Sequence, residues 1–416
     1  MATVVLLGAL DTKGSEYAFL RDRVIEAGCD VLMINAGVLG DSDYPVAFDR
    51  HAVAAETGAD LEALVAAGDR GAAVTAMADG AGSLVQRLCE EGKIHGILGM
   101  GGSGGSSIIS HAMRRLPIGF PKLLVSTMGA GDVSAFVGTS DIAMMYSVVD
   151  IAGINAVSSS ILGNAAAGVA GMAKAYAARE VAGGGRPLIG ATMYGTTTPC
   201  VNQARALLQE LGYEVLVFHA TGTGGRSMEA LMKSGYITAA LDVTTTELTD
   251  EVAGGTLTAG PDRLEAAGDL GLPQVVSIGS TDQITFTPPS AVPDAYRDRN
   301  CYDHNPSITL VRTNVEESIE LGRMLAEKLN RATGPVSLFV PLRGGSSYAT
   351  SGGVFHDPEA DAALVESIRT HLDPHVEMVE MDTDINDPVF AEAMARRLHE
   401  NYQTWLEGSV SASGRA

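Results

Sequence analysis

The densest capacity for chemistry lies in a glycine-rich run, Gly96-Ile-Leu-Gly-Met-Gly-Gly-Ser-Gly-Gly-Ser-Ser107. It starts as an apolar strand end and leads into a helix expected over Ile108–Arg115. Glycine has no Cβ, so backbone N–H groups can close on phosphate oxygens, and a following helix N-terminus adds a favourable dipole. Gly101, Gly102, Gly104 and Gly105 open the backbone, while Ser103, Ser106 and Ser107 offer hydroxyls. The run lacks the lysine of the G-x-x-x-x-G-K-[ST] loop and does not match G-x-G-x-x-G cleanly. Tight packing alone would also call for glycine here, but the strand-loop-helix setting favours phosphate.

A second set follows the first strand, Thr3–Leu7, in Gly8-Ala-Leu-Asp-Thr-Lys-Gly14. Asp11 suits a magnesium ion or a ribose hydroxyl, Thr12 is a donor and Lys13 pairs with phosphate. A surface turn with a helix-capping aspartate accounts for the same residues. Asn35 ends the second strand, where a ribose or base would lie, and Arg70 reaches either an anion or only solvent. Ser126-Thr-Met-Gly-Ala-Gly-Asp132 and Gly138-Thr-Ser-Asp141, each read as following a short strand, either complete the same crevice or simply turn the chain.

The second half has its own polar strand ends. His219-Ala-Thr-Gly-Thr-Gly-Gly-Arg226 follows one strand, Asp242-Val-Thr-Thr-Thr-Glu247 another, and Asp282 and Arg343-Gly-Gly-Ser-Ser-Tyr348 two more. His219, Arg226 and Glu247 form a candidate acid/base or anion set. In that reading they face a small anionic metabolite in an interdomain cleft, with ATP hydrolysis or ligation as the reaction. A lone histidine is more often structural. Asp294–Asp303 with His304 reads as a polar loop, a lid or plain solvated surface. No H-E-x-x-H, G-x-S-x-G or kinase motif occurs.

These residues need a scaffold that brings strand ends together. Val4–Leu7, a helix striped by Ala18, Leu20, Val24 and Ile25, and Val31–Ile34 make a β-α-β unit. Leu188–Ala191, Val201–Leu211 and Val215–Phe218 repeat its order, either by duplication or because all such units look alike. A long Ala-rich helix, Val157–Arg179, and the linker Val181-Ala-Gly-Gly-Gly-Arg-Pro187 separate the halves. The expectation is an α/β protein of two Rossmann-like, doubly wound domains with mainly parallel sheets, 1–183 and 184–407, then a disordered tail, 408–416. The Met-rich segment Ile142–Ile154 is either a homodimer face or a core helix.

Composition agrees. Of 416 residues 46% are hydrophobic and only 5% aromatic, which suits helices packed on buried parallel strands. A net charge of −22 disfavours nucleic-acid binding, although a local nest of N–H groups still takes a small anion. Cys29, Cys89, Cys200 and Cys301 are too scattered for a zinc site or a disulfide framework and read as buried free thiols. The N-terminus runs straight into a strand, and no stretch reads as a membrane span of roughly 18–20 residues. A cytoplasmic protein without membrane partners is expected.

The chain resembles an uncharacterised bacterial and fungal family that includes the N-terminal domain of the tomato mosaic virus resistance protein. The resemblance rests on Leu7–Gly14, Gly99–Ser106, Pro117–Lys122 with Val125–Thr127, and Gly138–Asp141. In the second half it rests on Phe218–Arg226, Thr244–Leu248 and Gly353–Pro358. It spans about residues 1–407. It implies two Rossmann-like subdomains, ATP as ligand, with or without magnesium, and a homodimer. It places ATP contacts on Asp11, Thr12, Lys13, Arg70 and Gly102–Gly105, with Asn35 a looser match.

Overall fold

The structure, a computed structural model, describes residues 1–66, 68–179 and 185–413. The chain divides into unit 1, Met1–Gly183, and unit 2, Gly184–Ala416. Of the expected linker, residues 181–184 lie outside the described residues.

Unit 1 runs β1 (Thr3–Gly8), α1 (Leu10–Glu26), β2 (Asp30–Asn35), α2 (Arg50–Ala55), α3 (Leu61–Ala66) and α4 (Arg70–Glu90). It continues with β3 (Gly96–Gly101), α5 (Ser103–Arg114), β4 (Lys122–Ser126), α6 (Ser134–Val137), β5 (Ala143–Tyr146) and α7 (Ala156–Ala178). The sheet is parallel, in the order β2-β1-β3-β4-β5. Strand residues alternate between two cores. Val5, Leu7, Ile34 and Ile97 pack on α4 and α5, while Val4, Leu6, Met33 and Leu98 pack on α1 and α7. The helices after β1 and β3 therefore leave toward opposite faces. Between those two strands lies a topological switch point, where open α/β sheets leave a crevice at their carboxyl ends.

Unit 2 runs β6 (Leu188–Met193), α8 (Thr198–Glu210), β7 (Glu214–His219), α9 (Thr223–Lys233), β8 (Ile237–Thr244), α10 (Thr246–Ala253) and α11 (Ala266–Asp269). Next come β9 (Gln274–Gly279), β10 (Gln283–Phe286), β11 (Cys301–Asn305), β12 (Ile308–Arg312) and α12 (Val315–Asn330). It ends with β13 (Val336–Pro341), α13 (Pro358–His371), β14 (Glu377–Met381) and α14 (Pro388–Ser413). Its main sheet is parallel, β14-β13-β9-β8-β6-β7. Read from β7, this repeats the unit 1 order and adds one strand. An antiparallel sheet, β10-β12-β11, is inserted between β9 and β13. Both units are thus Rossmann-like and doubly wound, as the sequence pattern implied.

Several local expectations are corrected. The turn through Gly14 is already helical from Leu10, with a break at Lys13 (φ −127°, ψ 25°). The helix expected from Ile108 begins at Ser103, since Gly102 acts as its N-cap. Residues 142–154 form the edge strand β5 and a loop, not a helix. Gly138–Asp141 follows the short helix α6 rather than a strand. Part of the polar loop before His304 is strand β11, and Cys301 on it is exposed. The expected tail is helical through Ser413, because Ser, Val and Ala offer no helix breaker after Gly408. Helix α7 is long and apolar enough to cross a membrane by length and composition, contrary to expectation. One side of it packs Leu162, Ala166, Val169 and Ala173 into the unit 1 core.

Candidate functional site

The unit 1 crevice is framed by the residues after β1 and β3. Its floor is Tyr17, fully buried on α1. The Tyr17 hydroxyl donates to the carbonyl of Leu7 (2.6 Å) or Met100 (3.0 Å) and accepts from the Met100 N–H (2.9 Å). It thus ties β1 to β3 beyond their last ladder pair, Leu7 with Gly99. Burial pushes its phenol well above the usual range, so it stays neutral.

Around this floor the predicted residues divide. Asn35 is fully buried and holds the loop after its own strand. Its Oδ1 accepts from Leu10 N (3.0 Å) and Gly37 N (2.9 Å), and its Nδ2 donates to Gly40 O (3.4 Å). A ribose or base has no free edge of this amide to contact, which corrects that expectation. Asp11 reaches across the same loop: its Oδ2 accepts from Leu39 N (2.9 Å) and Gly40 N (3.2 Å). A Cβ at residue 37 would stand 2.4 Å from the Asp11 Cγ, so Gly37 is what lets this carboxylate in. Its other oxygen, Oδ1, is buried without a partner. The Lys13 ammonium bonds to the Ile151 carbonyl, and Thr12 is exposed with its hydroxyl 3.4 Å from Ala9 O. Arg70 is exposed at the start of α4, away from any ion pair among the described residues.

Helix α5 presents its first turn differently. Gly101 ends β3 in contact with the turn above it, for a Cβ there would lie 2.9 Å from Gly105 Cα. Gly102 caps the helix in extended conformation and, having no side chain, supplies no capping bond. Ser103 and Gly104 are exposed, Gly105 is half-buried, and a Cβ at residue 104 would meet nothing within 4 Å. Ser106 instead points inward. Fully buried, it shares a hydrogen bond with Ser126 Oγ (2.7 Å) and ties α5 to the end of β4.

The glycine loop of unit 2 is already filled by the protein itself. Glu247 is completely buried at the start of α10. Its Oε1 accepts from Gly222 N (2.6 Å) and Gly225 N (3.1 Å). A Cβ at residue 225 would lie 2.1 Å from Glu247 Oε2, which explains the glycine there. That oxygen accepts from Arg263 Nε (2.6 Å), while Arg263 also grips Asp242 bidentately at 2.6 and 2.7 Å. Glu229 completes the cluster at 3.4 Å, its pKa raised by burial against the pull of Arg263. Glu247 therefore anchors the loop and cannot face a metabolite, which corrects its catalytic assignment. His219 is exposed, stacked on Tyr194 at 5.2 Å between ring centroids. Its Nδ1 lies 3.1 Å from the Met193 carbonyl, which only accepts, so Nδ1 carries the proton and Nε2 is an acceptor. Arg226 is exposed on α9.

Sequence reasoning missed Tyr17 and Arg263, each of which braces the glycine-loop region of its own unit. No spacing signal marks either, since a tyrosine on a helical stripe reads as core and an arginine after Gly-Pro-Asp reads as surface.

Family models agree with the division of the chain. The N-terminal domain of an uncharacterised protein family, UPF0261, matches residues 2–178, and its C-terminal domain matches 186–402. A UPF0261 protein of Clostridium tetani is 49% identical over 396 residues, covering 95% of this chain and 98% of its own. One from Mesorhizobium japonicum is 42% identical over 398 residues, covering 95% and 98%. The tomato (Solanum lycopersicum) ToMV resistance protein Tm-1(GCR237) is 35% identical over 411 residues, which is 94% of this chain but 54% of that protein. With both of its domains matched in order, the chain belongs to the uncharacterised protein family UPF0261.

Proposed function

We propose that this protein binds ATP, seating the phosphates on the first turn of α5 at the carboxyl end of the unit 1 sheet. The carrying observation is a contrast among glycine loops. The loop after β2 already holds the Asp11 carboxylate, and the loop before α9 already holds Glu247. Among the described residues no anion and no capping side chain bonds the start of α5, and Ser103-Gly104 is exposed. A helix N-terminus so left open is a ready site for phosphate.

The neighbouring residues fit a nucleotide triphosphate. The Lys13 ammonium has donors beyond the one directed at Ile151, and the Ser103 hydroxyl lies at the start of α5. The unpartnered Asp11 Oδ1 suits a water of a magnesium ion, because magnesium keeps most of its waters when it binds phosphates.

The test is calorimetry with ATP and magnesium on wild type and on Gly104→Asp. Aspartate in a first helical turn favours the helix but opposes a bound anion, and this Cβ meets no neighbour. Saturable binding to wild type, at least about tenfold weaker in the variant with an unchanged melting point, is expected; tenfold is about 1.4 kcal/mol. Absence of binding at millimolar ATP, or equal affinity in the variant, refutes the reading.

A further inference from the structure

A cavity of about 830 Å³ opens within unit 2 at the carboxyl end of β13. That volume is in the range of small-molecule sites. One wall is a single face of α13, carrying Pro358, Asp361, Ala362, Val365 and Arg369 at helical spacing. The segment Phe355-His-Asp-Pro358 builds its rim. Phe355 is buried beneath, His356 lines the cavity, Asp357 caps α13 through Ala360 N (3.2 Å), and Pro358 starts the helix.

The charges of this wall do not balance. Arg369 is held bidentately by Glu380 (2.7 and 2.8 Å) and also bonds Glu366 (3.1 Å), while Arg343 is matched by Asp382 (2.7 and 2.6 Å). Arg312 must serve two carboxylates. It is nearly buried and donates to Asp361 Oδ1 (2.5 Å), Phe355 O (2.7 Å), Asp357 O (3.2 Å) and Thr313 Oγ1 (2.5 Å). Asp282 also lies in the field of Arg312, fully buried, with Oδ2 bonded to Ser346 (2.7 Å) and Oδ1 without a partner. One guanidinium thus faces two carboxyl groups. Burial lifts Asp361 to about 6, with Asp282 adding to the rise and Arg312 opposing it. Three lining residues keep acceptors free. Asp361 keeps one oxygen, Asp384 has bonded only one to Asn386 N (2.8 Å), and His356 directs Nδ1 at Ala349 O (3.3 Å), leaving Nε2 with its lone pair.

We propose that this cavity binds a small organic amine, with its ammonium on the free oxygen of Asp361 and its apolar part along Ala362 and Val365. The amine supplies positive charge and donors to these free acceptors. The site stands independently of the nucleotide reading for unit 1.

The experiment titrates the full chain at pH 7.5 with 2-phenylethylamine, its neutral analogue 2-phenylethanol, and 3-phenylpropionate, read by calorimetry and protein NMR. The amine is expected to saturate below about 1 mM, and the alcohol and the acid at least tenfold more weakly. Asp361→Asn keeps an acceptor for Arg312 while removing the charge, and should weaken the amine at least tenfold. Ala362→Trp fills the cavity from an exposed helical position and should abolish binding while the protein keeps its melting point. Equal affinity for amine and alcohol, unchanged amine binding in both variants, or no saturation by the amine up to about 20 mM would each overturn the proposal.

Discussion

The hydroxyl of Tyr17 lies 1.9 Å from the point where a Cβ on residue 8 would stand, so Gly8 and Tyr17 form a matched pair. The glycine gives the ring its place between the ends of β1 and β3, and the ring satisfies backbone groups that the parting strands no longer pair. The switch-point crevice therefore has a defined floor rather than a gap.

This pairing predicts two different defects. Gly8→Ala forces overpacking, which costs about 1–3 kcal/mol or more. Tyr17→Phe keeps the volume but strands the buried Leu7 and Met100 groups, at about 1–3 kcal/mol. The Tyr17 Cζ would still lie 2.3 Å from the new Cβ, so Tyr17→Phe should not rescue Gly8→Ala. Urea unfolding of the two single variants and the double variant checks this. A double variant as stable as Tyr17→Phe alone would show that the hydroxyl, not the ring, sets the constraint.

Arg263 predicts the next. It pairs with Asp242, Glu247 and Glu229 in their shared cluster. Arg263→Met takes the direct ion-pair partner from those carboxyl groups, and removing one side of a buried ion pair costs about 3–5 kcal/mol. Arg226→Ala, on the exposed face of α9, should change stability by less than about 0.5 kcal/mol. A fall in thermal midpoint of similar size in both variants would contradict the cluster's role.

The sequence carried the fold further than it carried the site. Apolar runs such as Val4–Leu7 and Val275–Ile278, bounded by glycine, specify buried parallel strands, and the structure has them within β1 and β9. Helix starts were harder to place, because Ser103-Gly-Gly-Ser106 reads as loop by propensity, yet Gly102 caps it and Ser106 locks it to Ser126. Site residues were legible only as strand-end polarity. Whether a carboxylate faces solvent or turns inward depends on partners distant in sequence. Glu247 meets Gly222 and Arg263, and Asp11 meets Leu39, and nothing local encodes either pairing.

Asp250 predicts a pH dependence of stability. It is buried on α10, accepting from Thr285 N and Leu257 N (both 2.8 Å), and burial lifts it to about 7, with nearby Glu247 adding to the rise. The unfolded chain titrates it near 3.8, so between those values the native state holds the extra proton. Its contribution is complete below about pH 4 and is lost as pH rises through about 7, at roughly 1.4 kcal/mol per pH unit. Wild type should therefore lose stability relative to Asp250→Asn between pH 5 and pH 7, by about 2–3 kcal/mol on that slope. Urea midpoints at several pH values decide it, and parallel curves for the two proteins would reject the assignment.

The two serines of the α5 start should separate ligand binding from folding. Ser103 is exposed beside the open N–H groups, whereas Ser106 is buried against Ser126, which in turn accepts from Met128 N (3.0 Å). Ser106→Ala removes the buried hydrogen bonds to Ser126 Oγ (2.7 Å) and Gly101 O (3.3 Å) and should cost about 1–3 kcal/mol of stability, with little change in ATP affinity. Ser103→Ala should leave stability nearly unchanged and weaken ATP by severalfold, the loss of one hydrogen bond to a charged group. Calorimetry with ATP and magnesium, paired with urea unfolding on both variants, reads the two effects separately. If Ser106→Ala weakened ATP more than Ser103→Ala did, the phosphates would have to lie on the inner side of the turn, and the first-turn geometry proposed for them would be wrong.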